Sequence, residues 1–361
     1  MTLDDLVQRA LEARQAGETE RADRLFRTIL SVVTAHLPVM LQRADLLEAA
    51  GRWGEALSLY TRAARLAPGL ALPSTRRSLL LLRRQFGPPP AARPGDPHAE
   101  TGRVGMTTLG VNGRFGNQLL QYGILRLYGA VHGLQVEAPD WIGRDLFGFD
   151  DPLPRSALRL VREDETDVVA GLAGPGSGSG GQRDLDLWGY FCGPTGRWAV
   201  HRDRFRSLFH WRGAFAAIAH TTQARLAALG GDIVALHLRR GDFVSDGHWI
   251  PPNRWYLERL HALWPSLDRP RLYIASDDPA AAAEFAAFAP LSEADLGRSP
   301  AGAEFLLDFL VLTMADWLLL SNSSFSFTAA MLNRKARGVF RPHPNLGGLV
   351  AIDPWDAPVL L

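Results

Sequence analysis

The sequence predicts an α/β protein in which doubly wound parallel sheets follow an all-α repeat stack. Three observations predict it. From Asp232 onward, short apolar runs alternate regularly with stretches of helical periodicity. A strand–helix–strand pattern opens just after residue 103, and the first 85 residues read as helices whose landmarks recur at a fixed interval.

In that repeat, "QAGETERADRLFRTIL" and "EAAGRWGEALSLYTRA" align with Gly17 over Gly51, Ala22 over Ala56 and Phe26 over Tyr60, each pair 34 residues apart. Glycine at the turn, alanine at a tight helix contact, an aromatic next and Pro68 at the end resemble the tetratricopeptide repeat. Residues 1–85 are therefore expected to form a repeat-type helical region with a groove for a protein partner. Residues 86–103, "FGPPPAARPGDPHAETGR", are rich in Pro and Gly and read as a linker. Two Rossmann-like domains should follow, over residues 104–230 and 231–361.

The elements come in order. "VGMTTLGV" reads as a strand, "GNQLLQYGILRLYGAVHG" as a helix and "LQVEAP" as a strand. "GLAGPGSGSGGQ", residues 171–182, can bury nothing and reads as a loop or insertion. In the second half, "DIVALHL", "RLYIAS", "WLLLSN" and "GVFRP" read as strands, and "NRWYLERLHALW", "DPAAAAEFAAF", "AEFLLDFLVLTMA" and "SFSFTAAMLN" as helices. Parallel sheets of this kind bind ligands beyond the carboxyl ends of their strands. The polar clusters His237–Asp242, Ser276–Asp278 and Ser321–Ser326 all fall at such ends.

Composition excludes several classes. The 361 residues are 47% hydrophobic, and Lys+Arg total 39 against 38 Asp+Glu, so no basic excess marks a nucleic-acid-binding protein. The single cysteine, Cys192, permits neither an internal disulfide nor a multi-cysteine zinc site. The first residues are charged and amphipathic, unlike a secretion signal, and Phe309–Leu320 is broken by Asp316 and too short to span a bilayer. A cytoplasmic protein is expected, with room for peripheral association with the inner membrane. Asn322-Ser323-Ser324 spells a glycosylation sequon, read as accidental in that compartment.

Each cluster has a chemistry. Arg239 and Arg240 offer planar forks suited to phosphate. Asn322, Ser323, Ser324 and Ser326 open a helix, where hydroxyls and free N–H groups favour an anion, although such residues also cap helices for structural reasons. Asp277 or Asp278 could accept from a guanine edge or a ribose hydroxyl, with the other serving as a helix cap. In "GVNGRFGNQ", Gly110, Gly113 and Gly116 fit neither a dinucleotide fingerprint nor a Walker loop. Asn117 and Gln118 look like a polar surface facing the crevice, and Arg114 could reach an anion. Asp184-Leu185-Asp186 spells a metal-binding D-x-D, read as a chance match before an aromatic run.

Together "NGRFGNQLLQYG", "VALHLRRGDFV", "WYLERL", "LYIASDDP" and "DFLVLTMADWLLLSNSSFSFTAAMLN" resemble, in order, the motifs of bacterial α-1,2-fucosyltransferases. The first two are also similar to segments of protein O-fucosyltransferases and α-1,6-fucosyltransferases. The resemblance covers about residues 104–345. It implies a GT-B fold, GDP-fucose as donor, inversion at the anomeric carbon and no metal or other cofactor. The family's H-x-R-R-x-D falls on His237, Arg239, Arg240 and Asp242, with the arginines on the β-phosphate. Its Ser-Asp-Asp falls on Ser276, Asp277 and Asp278 near the nucleoside, and its serine segment on Asn322–Ser326 near the diphosphate. Its Gly-x-x-Gly-Asn-Gln loop falls on Gly113, Gly116, Asn117 and Gln118, toward donor and acceptor. Phe327-Thr328 replaces a common Trp-Trp, and Cys192 a common Gln, which bears on the sugar or acceptor pocket. Asp246 and His248 are the candidates for the catalytic base. The acceptor is expected to be a glycan or a protein. Two rival readings are a GT-B enzyme using another nucleotide sugar and a catalytically inactive, repeat-bearing interaction protein.

Overall fold

The computed structural model describes residues 2–95, 102–174, 183–241 and 249–361. It contains two compact units, residues 1–88 and 89–361. The first is all helical: α1 (Leu3–Gln15), α2 (Thr19–Val32), α3 (Leu37–Ala49), α4 (Trp53–Leu66) and α5 (Ala71–Phe86). The 34-residue periodicity is visible in its geometry. Gly17 and Gly51 turn α1 into α2 and α3 into α4 at φ of 74° and 73°, a left-handed backbone that glycine adopts without strain. Ala22, Phe26, Ala56 and Tyr60 are all fully buried in one core. Asp23 is buried with them and accepts from Arg43 on α3 and from Arg52 at the start of α4, both at 2.7 Å.

The second unit holds two sheets. β1 (Arg103–Gly105), β2 (Gln135–Glu137), β3 (Arg159–Arg162) and β4 (Leu185–Trp188) form the first, in the order β2-β1-β4-β3 and parallel throughout. α6 (Phe115–His132) links β1 to β2, and α7 (Ile142–Phe147) follows β2. α8 (Arg202–Leu208) and α9 (Gly213–Leu229) lead to the second sheet. There, β5 (Ile233–Leu238), α10 (Asn253–Leu263), β6 (Arg271–Ser276), α11 (Pro279–Ala283), α12 (Glu293–Leu296), α13 (Leu306–Met314), β7 (Trp317–Leu319), α14 (Ser324–Leu332), β8 (Gly338–His343) and β9 (Gly348–Ala351) follow one another. The strand order is β6-β5-β7-β8-β9, parallel except for the last pair. All six residues of β5 are buried, which suits a central strand covered on both faces and accounts for its apolar run, broken only by His237.

Several expected boundaries shift. The first strand ends at Gly105, because the Thr107 backbone N–H and hydroxyl both bond the Asp186 carboxylate, at 2.8 and 2.6 Å, and turn the chain. The helix expected over "DPAAAAEFAAF" stops at Ala283 and resumes as a short tight turn at Ala286–Phe288. The antiparallel β9 was not expected. Part of the expected linker is docked: Arg93 N–H bonds Asp150 O at 2.7 Å, and Arg155 donates to Gly95 O at 2.7 Å. Residues 175–182 of the glycine-serine stretch lie outside the described residues.

Both sheets reverse strand order at one point, between β1 and β4 in the first and between β5 and β7 in the second. Ligands of doubly wound sheets sit at these reversals. The final residues of the chain tie the halves together. Thr195 Oγ1 donates within 2.9 Å of Pro354 O and Ala357 O, and Trp355 packs against Trp198 and Phe205.

Candidate active site

The site is built at the carboxyl ends of β5, β6 and β7. His237 occupies the penultimate position of β5 and is 5% exposed. Its Nδ1 meets Ser321 Oγ at 2.7 Å, and its ring packs against Phe325. Burial, with the nearby charges of Arg239 and Arg240, holds the imidazole down to about 3. It is therefore neutral at physiological pH and holds the β5 and β7 ends in register rather than carrying charge.

The two arginines part company. Arg239 meets Asp277 at the end of β6, Nη1 to Oδ2 at 2.8 Å, with both side chains partly exposed. Arg240 turns inward and is 8% exposed. Its Nη2 donates to Pro251 O at 3.0 Å and to Asn253 Oδ1, and its Nη1 to Arg239 O. The resemblance implies that both arginines hold the β-phosphate, whereas here the Arg240 fork is engaged within the protein. Consecutive residues leaving a strand point to opposite sides, so one guanidinium looks outward and the other holds the chain. Asp277 joins them, because its Oδ1 also accepts the Arg240 backbone N–H at 2.7 Å.

Asp278 caps α11, its Oδ1 accepting from the Ala280 N–H at 2.9 Å, with Pro279 at the first helical position. Ser276 Oγ bridges Leu238 O and Asp278 O at 3.1 Å each. Ser323 caps α14 through Phe325 N–H, and Ser326 is fully buried beneath it. Ser324 supplies its carbonyl to the Thr328 hydroxyl at 2.8 Å. Asn322 is engaged with the last residue, its Oδ1 accepting Leu361 N–H at 2.9 Å. Asp242, Asp246 and His248 lie outside the described residues.

The first sheet meets this cluster through the glycine loop. A Cβ on Gly116 would lie 2.5 Å from Phe325 N and 2.6 Å from Ser324 C, so only glycine lets the start of α6 touch the start of α14. Two helix N-termini, whose first N–H groups lack intrahelical partners and which carry a positive dipole end, thus converge beside Ser321 and His237. Gly113 (φ 84°) lies against the Asn117 side chain, and Arg114, exposed, occupies the cap position of α6. Gln118 is not a crevice-facing polar surface. It is 2% exposed and donates to Gly113 O at 3.1 Å, so it shapes the loop from below.

Three groups escaped the sequence reading. Gln121, fully buried, donates to Asn112 O at 3.0 Å and Gly189 O at 2.9 Å, bridging the ends of β1 and β4. Phe115, Phe305, Phe309 and Phe325 stack into one aromatic cluster behind the helix starts. Asp308 on α13 accepts the Tyr273 hydroxyl at 2.6 Å. Burial pushes its carboxyl up to about 6, against that hydrogen bond, and the charges of Glu293 and Asp277 push the same way. A lone acid in the apolar run "LLDFLVLTM" was the available signal. The D-x-D pair is spent on β1: Asp186 on Thr107, and Asp184 on the Arg103 N–H at 3.2 Å.

No protein-family model matches the chain, and no curated protein matches it. Among solved structures it is similar to the fucosyltransferase NodZ from Bradyrhizobium, at 14% identity and a TM-score of 0.45, over 70% of this chain and 99% of that one. It is also similar to a mutant O-GlcNAc transferase from Thermobaculum terrenum, at 13% identity and a TM-score of 0.22, over 92% and 84% of the two chains.

Proposed function

We propose that the chain is a GT-B glycosyltransferase that moves L-fucose from GDP-fucose to a hydroxyl of a glycan or protein acceptor, inverting the anomeric carbon without a metal. One observation carries the reading most directly. The partly exposed guanidinium of Arg239 stands beyond the end of β5 on Asp277, and the N-termini of α6 and α14 meet across Gly116 and Phe325 beside His237 of the same strand. Such a focus of positive potential suits the diphosphate of a nucleotide sugar.

In this reading the acceptor hydroxyl attacks the anomeric carbon as the bond to the β-phosphate oxygen breaks. The electron pair leaves with GDP, and Arg239 with the two helix starts meets the growing negative charge. Asp277 fixes the Arg239 fork before substrate arrives, so little reorganisation is left to the reaction. The acceptor proton passes to a base, for which Asp246 and His248 remain the candidates. The guanine base is assigned to the region beyond β6, near Asp277 and Asp278. The helical unit is assigned a partner or acceptor protein.

Calorimetric titration with GDP, UDP and ADP tests the donor, followed by EDTA-resistant turnover of GDP-fucose. Tight binding of GDP alone and turnover that Arg239→Ala abolishes support the reading. Binding of UDP or ADP in preference to GDP overturns the donor, and wild-type turnover by Arg239→Ala overturns the site.

A further inference from the structure

A second cleft lies beside edge strand β2 and the C-terminal half of α6, with a volume of about 500 Å³. From Gly116 to Gly129 the helix advances by roughly 20 Å at 1.5 Å per residue, so this cleft is separate from the crevice. Its size is that of a small-molecule site.

Its lining is cationic for a structural reason. The docked segment before β1 brings in Arg93, α6 brings Arg126 and α8 brings Arg204. The carboxylate on the wall, Asp151, is 2% exposed and already satisfied. Its Oδ2 accepts the Tyr122 hydroxyl at 2.5 Å, and its Oδ1 faces Arg126 Nη1 at 2.9 Å. That same Nη1 also reaches Tyr122 Oη, so the Nε and Nη2 of Arg126 carry no hydrogen bond among the described residues. Arg93 pairs with Asp150 at 3.0 Å, both well exposed, a contact that water weakens. Arg204 is exposed and pairs with no carboxylate among the described residues.

A buried tyrosine–aspartate pair fixes one fork of this cleft, that of the partly exposed Arg126. At this wall α6 ends at His132 with Gly133 as its cap; Gly129 packs against β2, where a Cβ would lie 2.5 Å from Val136 Cγ2, and its carbonyl accepts the Gly133 and Leu134 N–H groups. The cleft thus offers guanidinium forks for an acid group.

We infer that this cleft binds an anion, a carboxylate or phosphate group such as acidic sugars carry, at a site independent of the nucleotide crevice. The ligand is either a free acidic sugar or an acidic residue within a longer glycan. The inference does not depend on the donor proposed above.

The test is titration of the full chain with glucuronate, glucose 6-phosphate, a hyaluronan hexasaccharide and glucose, read by calorimetry and by amide NMR shifts. The acidic probes should bind, weaken with added salt and leave glucose without effect. A hexasaccharide binding more tightly than glucuronate assigns the site to a glycan, and equal affinity assigns it to a free sugar. Arg204→Glu, on an exposed helix face, should weaken binding at least tenfold, roughly the loss of one charge-assisted fork. Arg126→Gln should do the same, and Arg239→Ala should leave it intact. The inference is overturned if no acidic probe binds, if glucose binds equally, if Arg204→Glu binds as wild type, or if Arg239→Ala abolishes binding.

Discussion

Gly116 lies against the backbone of Phe325, so that the starts of two helices from two different sheets touch with no side chain between them. Everything proposed for the crevice depends on that approach. In Gly116→Ala the added methyl meets main-chain atoms, which cannot rotate away. The helix starts must separate or the aromatic cluster behind them must yield, at a cost of about 1–3 kcal/mol. We expect a lowered midpoint in urea unfolding together with a larger loss of nucleotide affinity than a remote variant of equal stability shows. Gly133→Ala, at an open position where no neighbour approaches but φ is 66°, is the matched control.

Arg239 and Arg240 should separate cleanly by experiment. Arg239→Ala removes the outward fork and leaves Asp277 partly exposed, so the melting temperature should move little. Turnover should fall by about 10²–10³-fold, the scale for one preorganised donor to a developing anion. Arg240→Ala strips donors from Pro251 O and Asn253 inside the protein and should cost about 2–4 kcal/mol of stability. Equal stability loss in both variants would contradict the division of labour between them.

That division shows what sequence can and cannot reveal. The apolar run ending in His237-Leu238-Arg239-Arg240 marked the crevice edge, because a charged pair at the mouth of a buried strand has few structural uses. Which arginine faces out depends on where β5 ends relative to its pleat, and a shift of one residue would exchange their roles. Gln118 was misplaced for a similar reason. Its neighbour Asn117 is half-buried against the loop, while one helical step of 100° turns Gln118 beneath it. The 34-residue repeat was legible because it fixes spacing, glycine and small-residue contacts at once. Strands β3 and β4 were not, since four residues of "RLVR" or "LDLW" carry too little periodicity.

The helical unit has its own test in Asp23, whose buried carboxylate holds α3 and α4 through Arg43 and Arg52. Those two guanidiniums hold its pKa below the usual carboxylate range, although burial opposes them. A depressed carboxylate contributes stability above its unfolded value, and that stability is lost as pH falls through the folded value. Asp23→Ala should destabilise the unit by about 1–3 kcal/mol, because it removes the buried acceptor that two arginines share, although both keep Glu55. The helical signal of residues 1–88, followed by hydrogen exchange, should melt early in this variant.

Two groups in the second sheet should oppose each other across mildly acidic pH. Asp308 has its folded value raised to about 6, so its contribution favours the folded state at low pH and is lost as pH rises from about 4 to 6. His237 has its folded value lowered to about 3, so the unfolded chain takes up a proton first and stability is lost as pH falls below about 6.5. Between pH 4 and 6 the two slopes have opposite sign and largely cancel. Asp308→Asn keeps the hydrogen bond to Tyr273 but removes the titration, leaving the His237 slope alone. Wild-type stability should therefore be nearly flat over that window, while Asp308→Asn gains on the order of 2 kcal/mol at pH 7 and declines steeply toward pH 4. Urea titrations of both proteins at half-unit pH steps measure this; parallel curves would show that Asp308 does not titrate as its burial implies, and a flat Asp308→Asn curve would show the same of His237.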